Sequence, residues 1–320
     1  MNYIIIFFRF VFKHLGKIAF AIGLCCFFIF IFFPFSDLND FISSKVSELT
    51  QKKVFLQFED MHINPIATSV KLDQVSIETA AIDHLSLDSI TATPSIVALI
   101  KKQIGGKINA DGLFKGRLNL QVTPISQLES GAQKISIDLA SEKLSLQEIR
   151  KTFRLSLPLS GSTNFNARLN LDTSFQDQPD GDFQSTTDKF ELISANINLG
   201  EMGSINLPDI KFKQIDLKGK ISNGKMIIES GKFGQTSDDL FGTINGDIGL
   251  KISQIGNRTV PELGDIRLNI DLTAKPAFKE KASLFLSFLS QCTKEDKGIT
   301  YIKCKLTANS GGSPQFSPLN

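Results

Sequence analysis

The sequence predicts a mainly β protein: an elongated, coiled antiparallel sheet with three short helices, carried behind an N-terminal transmembrane helix. Three observations predict it. From Val54 onward, apolar residues recur at every second position in run after run. No long helical pattern separates these runs, which argues against βαβ crossovers and a parallel sheet. Glycines recur at the entries of the alternating runs, where they mark bends that let a sheet curl.

The N-terminal element is the apolar run Ile18 to Phe35, preceded by Arg9, Lys13, His14 and Lys17 and followed by Asp37 and Asp40. As a helix it would reach roughly 27 Å, about the hydrocarbon thickness of a bilayer. Cations on the leading side place residues 1–17 in the cytoplasm and send Ser36 to Asn320 across the membrane. A cleaved signal peptide is the rival reading. Its apolar core would be shorter and would end in small residues, whereas this run ends Phe32-Phe33-Pro34-Phe35. The patch Tyr3 to Phe12 is divided by Arg9; it extends the helix or lies at the headgroup surface.

The alternating runs come next. Val54, Leu56 and Phe58 open the series, followed by Val75 with Ile77 and Leu85 with Leu87. Leu118-Leu120-Val122, Ile135-Ile137-Leu139 and Phe165-Ala167-Leu169-Leu171 continue it, then Ile215-Leu217, Ile244-Ile248-Leu250 and Ile266-Leu268-Ile270-Leu272. Each reads as a strand with one buried and one wet face. Three helices interrupt them. Thr93 caps one from Pro94 to about Lys102, ended by Gly105-Gly106. Ser145 and Glu148, at capping-box spacing, open a second that reaches about Phe153. Pro276 opens a third to about Gln291, with Leu284, Phe285, Phe288 and Leu289 as its apolar face. The polar stretch from Asp172 to Lys189 reads as an exposed loop, and the tail from Ser310 as a loose end.

A weak repeat, an apolar residue then Gly then an alternating strand, recurs around Gly116, Gly161, Gly219 and Gly242, which are the predicted sheet bends. The expected organisation is a cytoplasmic tail (1–17), a transmembrane helix (18–35), a first periplasmic β unit (36–125) and a second (126–275). A C-terminal helix, strand and tail (276–320) complete it.

Composition narrows the function. With 35 basic and 33 acidic residues the formal charge is +2, too balanced and too dispersed for a nucleic-acid binder. Cys25 and Cys26 lie in the apolar run. Cys292 and Cys304 lie in the exported part, either as a disulfide or as two buried thiols. None of His14, His62 or His84 has a partner at metal-ligand spacing. No nucleophile elbow, phosphate loop, dinucleotide fingerprint or zinc-protease motif occurs. The expectation is no enzyme, no metal and no cofactor.

Several segments in order resemble a known family. They are the exit Phe33-Pro34-Phe35-Ser36-Asp37-Leu38 and the amphipathic Leu38 to Leu49, with Phe41, Ile42, Val46 and Leu49 on one face. Val75-Ser-Ile77, Leu85-Ser-Leu87, Thr93-Pro-Ser-Ile-Val-Ala-Leu-Ile100 and Gly112-Leu-Phe-Lys-Gly116 follow. Leu144-Ser-Leu146-Gln-Glu-Ile149 and Leu157-Pro-Leu159-Ser-Gly161 complete the set. Together, across roughly residues 10–275, the chain resembles the N-protein family of type II secretion systems and, more broadly, the AsmA/TamB-like periplasmic proteins. The resemblance implies a single-pass inner-membrane accessory of protein secretion, acting through contacts with other secretion-system proteins. It also implies an alternative: a coiled sheet whose apolar groove carries lipid between membranes. The two differ in whether the concave face is filled by the protein's own side chains or left open.

Overall fold

The computed structural model describes residues 16, 17, 19–21, 24, 25, 28, 38–79, 82, 84–129, 131–198, 204–255, 258–310 and 312–319. Most of the predicted membrane span, Cys26 and His14 lie outside the described residues. Those of residues 16–28 that are described are helical and exposed. Among the described residues no helix is long and apolar enough to cross a membrane.

Alternation in the sequence becomes eighteen strands among the described residues. The first six are β1 (Val54–Gln57), β2 (Asp60–Asn64), β3 (Ser69–Thr79), β4 (Leu85–Pro94), β5 (Gly106–Leu113) and β6 (Gly116–Gln127). Then come β7 (Gln133–Ser145), β8 (Leu159–Asp172), β9 (Asp180–Leu192), β10 (Ala195–Asn198), β11 (Ser204–Leu207) and β12 (Ile210–Ser222). The last are β13 (Lys225–Phe233), β14 (Leu240–Ile255), β15 (Arg258–Ala274), β16 (Thr293–Asp296), β17 (Ile299–Ala308) and β18 (Gln315–Pro318). All except β10 and β11, which pair with each other, join one 16-stranded antiparallel sheet laid down almost in sequence order. Most successive strands are joined by short turns that reverse the chain, whereas a parallel pair would need a long crossover to bring it back. At each edge one long strand is flanked by two short ones: β3 by β1 and β2, and β17 by β16 and β18. The sheet passes through the expected 125/126 division unbroken, since β6 pairs with β7 from Arg117 to Gln127.

The helices sit at strand ends. Helix α1 (Leu38–Leu49) lies along the first strands, and its Leu38 and Ile42 join the N-terminal core of Phe58, Met61, Val75, Leu87, Ala110 and Leu113. Of its predicted apolar face, Phe41 and Leu49 point instead to solvent. Helix α2 (Ile96–Ile100) is shorter than predicted: Thr93 and Pro94 stay in β4, paired with Lys107 and Gly106. A residue before proline is held extended, so Ser95 caps the helix and its Oγ accepts from the Ala98 N–H. Helix α3 (Leu146–Thr152) begins at Ser145 as predicted, with Ser145 Oγ accepting from the Glu148 N–H. The reciprocal half of the capping box does not form; the Ser145 N–H donates to Phe114 O, and Glu148 turns to Lys115 and Lys151.

The predicted helix from Pro276 is divided at Ala282 into α4 (Pro276–Lys281) and α5 (Ser283–Phe288), followed by a short 3-10 turn to Cys292. Its buried residues are Phe278, Ala282, Leu286 and Leu289, which close the C-terminal core over Phe212, Ile215, Leu240, Ala274 and Ile302. The predicted face was the wrong one for Leu284 and Phe288, which are exposed, while Phe285 packs on the core from its margin. Apolar residues on two sides of this segment left the choice to the sheet beneath it.

Two loops were also misjudged. The stretch Asp172–Lys189 is a loop only to Pro179; from Asp180 it is β9, in the middle of the sheet. Its alternation carries Phe183, Ser185 and Thr187, too few large apolar residues to show period two. The tail is not loose: Gln315–Pro318 pairs with β17.

Candidate functional site

Opposed residues of an antiparallel pair share a face, and following the register across the sheet reveals one unbroken row. It runs Ile63, Val70, Ala92, Ile108, Leu120, Leu139, Ala167, Phe183, Gly219, Ile228, Gly246, Leu268, Leu306 and Phe316. No member has a polar side chain. On one flank Leu118, Phe165, Leu217, Ile244 and Ile270 lie in a second row, broken only by small residues such as Ser141 and Ser185. On the other flank Val122, Ile137, Leu169, Ile221, Met226, Ile248 and Ile266 align, with Gly181 between strands. The central row is about 60 Å long, and where the two flanking rows run beside it, from β6 to β15, the band is about 13 Å wide.

This band is not a packed core. Of the central row only Gly219 is buried; every member with a larger side chain is half-buried or exposed, Ile108 being 41% exposed. The buried clusters lie toward the two ends of the sheet, one under α1 and one under α4 and α5. The total accessible surface of 20723 Å² agrees with an open form. Allowing residues 1–37 the whole area of an unfolded chain, about 6,000 Å², leaves the rest about a fifth above the roughly 12,000 Å² of a compact monomer.

The opposite face is wet. Lys107, Gln121, Asp138, Arg168, Asp182 and Lys220 form a transverse row of their own, beside Asn109, Asn119, Asn166 and Gln184. A shallow cleft of about 550 Å³ is lined by most of these residues together with Leu120, Leu139, Ala167 and Phe183. Two of the row's cations have carboxylate partners. Arg168 donates to Asp138, which raises the guanidinium pKa, and Lys220 is raised in the same way by its hydrogen bond to Glu229. No group of three or more metal-ligating side chains occurs among the described residues. His62 lies 3.5 Å from Asp73, and His84 Nδ1 lies 3.0 Å from Ser76 Oγ; both are strand-edge surface contacts.

The predicted structural positions fall as follows. Cys292 and Cys304 are disulfide-bonded across 12 residues with Cα atoms 5.2 Å apart, tying the end of the C-terminal helical segment to β17. Gly161 has φ +135° beside a register shift between Ser160 and Ser162, a conformation that side-chain-bearing residues avoid. Gly219 sits at the shift between Lys218 and Gly219, and the Phe183 ring fills the space 2.8 Å from where its Cβ would be. That close approach keeps Phe183 in the apolar row. Gly116 opens β6 against the Glu142 carbonyl, and Gly242 lies in regular pairing near the start of β14. The residues that sequence reading missed are those of β9, with Phe183 the only large apolar residue at its centre. Comparison with family models, with curated proteins and with solved structures finds no match for this chain.

Proposed function

We propose that this is a non-enzymatic lipid carrier of the bacterial inner membrane, AsmA/TamB-like, with acyl chains lying along the apolar band. In this reading residues 18–35 span the membrane once, residues 1–17 stay cytoplasmic, and the sheet stands in the periplasm. The observation that carries it is the band itself. Its central row crosses fourteen strands without a polar side chain, and none of its larger side chains is fully buried. A scaffold would have filled it. Lipid tails, which need apolar area and no hydrogen bonds, match a central row without a polar side chain. The test is mass spectrometry of lipid retained by the full chain purified in mild detergent. Stoichiometric phospholipid or another acyl lipid is the expected result; none above the level of an unrelated single-pass protein would remove the reading.

A second reading, accessory to type II secretion through contacts with other secretion proteins, draws on a different surface. Leu284 and Phe288 are 61% and 55% exposed on the outer side of α5, away from the band. Such a pair suits a protein partner. Deleting the gene and finding exoprotein secretion intact would count against it. Neither reading involves nucleic acid, metal or cofactor.

A further inference from the structure

A second apolar surface lies at one rim of the sheet, independent of the band. Helix α2 and the turn after it present Ile96 (53% exposed), Val97 (63%), Leu99 (59%), Ile100 (78%) and Ile104 (54%) to solvent. This is not a slack loop. Ala98, the one residue of α2 turned inward, is 1% exposed and packs against Gly105. The Ser95 N–H donates to Gly105 O at 3.0 Å and the Gln103 N–H to Ala98 O at 2.8 Å. From β7, Gln133 braces the turn on both sides: its Oε1 accepts from the Ile104 N–H at 2.8 Å and its Nε2 donates to Lys102 O. The backbone is satisfied and fixed while the aliphatic side chains point outward.

Two neighbours extend the knob along the same rim. Ile66, 96% exposed, tips the β2–β3 hairpin, and Ile125, 56% exposed, is the extra residue of the register shift between Pro124 and Ser126. Charge at this corner is one-sided. Residues 63–70, 93–108 and 121–128 hold Lys101, Lys102 and Lys107 but no Asp or Glu, Glu129 in the β6–β7 turn being the first acid along the rim, in a chain with 33 acidic residues. Exposed aliphatic groups at a tip with lysines just behind them is the arrangement that seats in a bilayer interface, apolar groups below the headgroups and cations among anionic ones.

We propose that this knob inserts into the interface of an anionic bilayer, and that the bilayer is the one holding the N-terminal anchor. The direction of α1 argues for that membrane. Its Leu38 end lies beside Phe58, where Asn39 Nδ2 donates to Phe58 O, and its Leu49 end returns to Val54, whose N–H donates to Thr50 Oγ1 at 3.2 Å. Since β1 and β2 run successively along β3 toward Asn64, the N-terminal end of α1 faces the rim that carries Ile66 and α2. Anchor and knob thus approach one surface together and orient the sheet on it. The choice of bilayer rests on the anchor reading; the insertion itself rests on the knob.

The chain has no Trp, so one introduced indole reports cleanly. The full-length Ile100→Trp and Val97→Trp variants would be reconstituted into vesicles of phosphatidylcholine with phosphatidylglycerol, and of phosphatidylcholine alone, with and without brominated acyl chains. Lys232→Trp, exposed on β13, serves as the control. The expected result is a blue-shifted emission, quenched by brominated lipid about threefold or more above the control, and stronger with phosphatidylglycerol. Adding Lys101→Glu with Lys102→Glu returns the quenching to the phosphatidylcholine level. Indoles at positions 97 and 100 quenched no more than the control would overturn the proposal, as would quenching indifferent to lipid charge and to the two lysines. Alkaline carbonate extraction separates the causes. A chain retained in the membrane with a water-exposed indole refutes the knob alone; a chain released refutes anchor and shared bilayer together.

Discussion

Leu139→Glu places a carboxylate at the centre of the apolar row, between Leu120 and Ala167. The magnitude of its effect distinguishes an open face from a filled one. Leu139 is partly buried, so the substitution removes most of the roughly 1.5–3 kcal/mol that full burial of a leucine contributes. On an open face the carboxylate keeps part of its water, and the total loss should be about 2–3 kcal/mol. The reference is Ile302→Glu, at a residue 2% exposed in the C-terminal core. There an unpaired charge is buried as well, and the loss should reach about 5 kcal/mol or more, enough to unfold most domains. Urea denaturation of the full chain in detergent, followed by far-ultraviolet circular dichroism, gives both values. Lipid retained by the folded Leu139→Glu protein should fall to less than about half of wild type, since acyl chains would meet a charge midway along their path. If Leu139→Glu proves as damaging as Ile302→Glu, the band is shut and the argument for a carrier fails. If the variant folds and retains its lipid unchanged, the band is not where lipid lies.

Other perturbations test the fold's fastenings. Replacing Cys292 and Cys304 by serine should lower stability by about 3 kcal/mol, the loop-closure value for a short bridge; an unshifted urea midpoint would show that the bridge carries nothing. Gly219→Ala should cost about 1–3 kcal/mol, because its Cβ would meet the Ile227 carbonyl and displace the Phe183 ring from the row; a neutral result would deny the close approach any role. Asp172 is 1% exposed, and burial alone would raise its pKa. Hydrogen bonds from the Ser174 N–H and Oγ and from the Gln176 and Asp177 N–H groups outweigh burial and lower it. Its contribution is therefore present above the ordinary carboxylate pKa of about 3.9 and is lost as pH falls through the lower folded value. Asp172→Asn should cost about 1–3 kcal/mol at pH 7, and the difference from wild type should shrink in acid; a gap constant with pH would refute the assignment. Glu148 is held below its usual pKa by hydrogen bonds from Lys115 and then Lys151, so the stability it adds disappears on the acid side in the same direction. Glu148→Gln measured against pH checks it.

How far the sequence could be read follows from what each segment exposes. Ile135-Ile137-Leu139 announce a strand because three large aliphatic residues sit on one side of it, and Ser145 announces a helix start because its short side-chain oxygen can accept an N–H of the first turn. β9 gave no such signal. Its inward positions are Phe183, Ser185 and Thr187, and two of the three are as polar as the residues between them. It is a strand because β8 and β12 each leave a row of backbone groups that must be paired. Leu289 lies on the inner face of the C-terminal helix as predicted, but Leu284 and Phe288 do not: Leu286 is just as apolar, and only the position of the sheet decides which residues turn inward. The knob on α2 was visible as a helix but not as an exposed one, since Ile96 to Ile100 reads the same whether covered or bare.

From residue order alone came the class of the molecule, because side-chain period and the spacing of Gly, Pro and Ser act through local sterics and hydrogen bonding within a few residues. The tertiary structure decided which apolar residues are covered. Register brings residues from fourteen strands into one line, helices α1, α4 and α5 cover its ends, and the centre stays half-open. Burial is a property of distant segments meeting, and no local pattern encodes it.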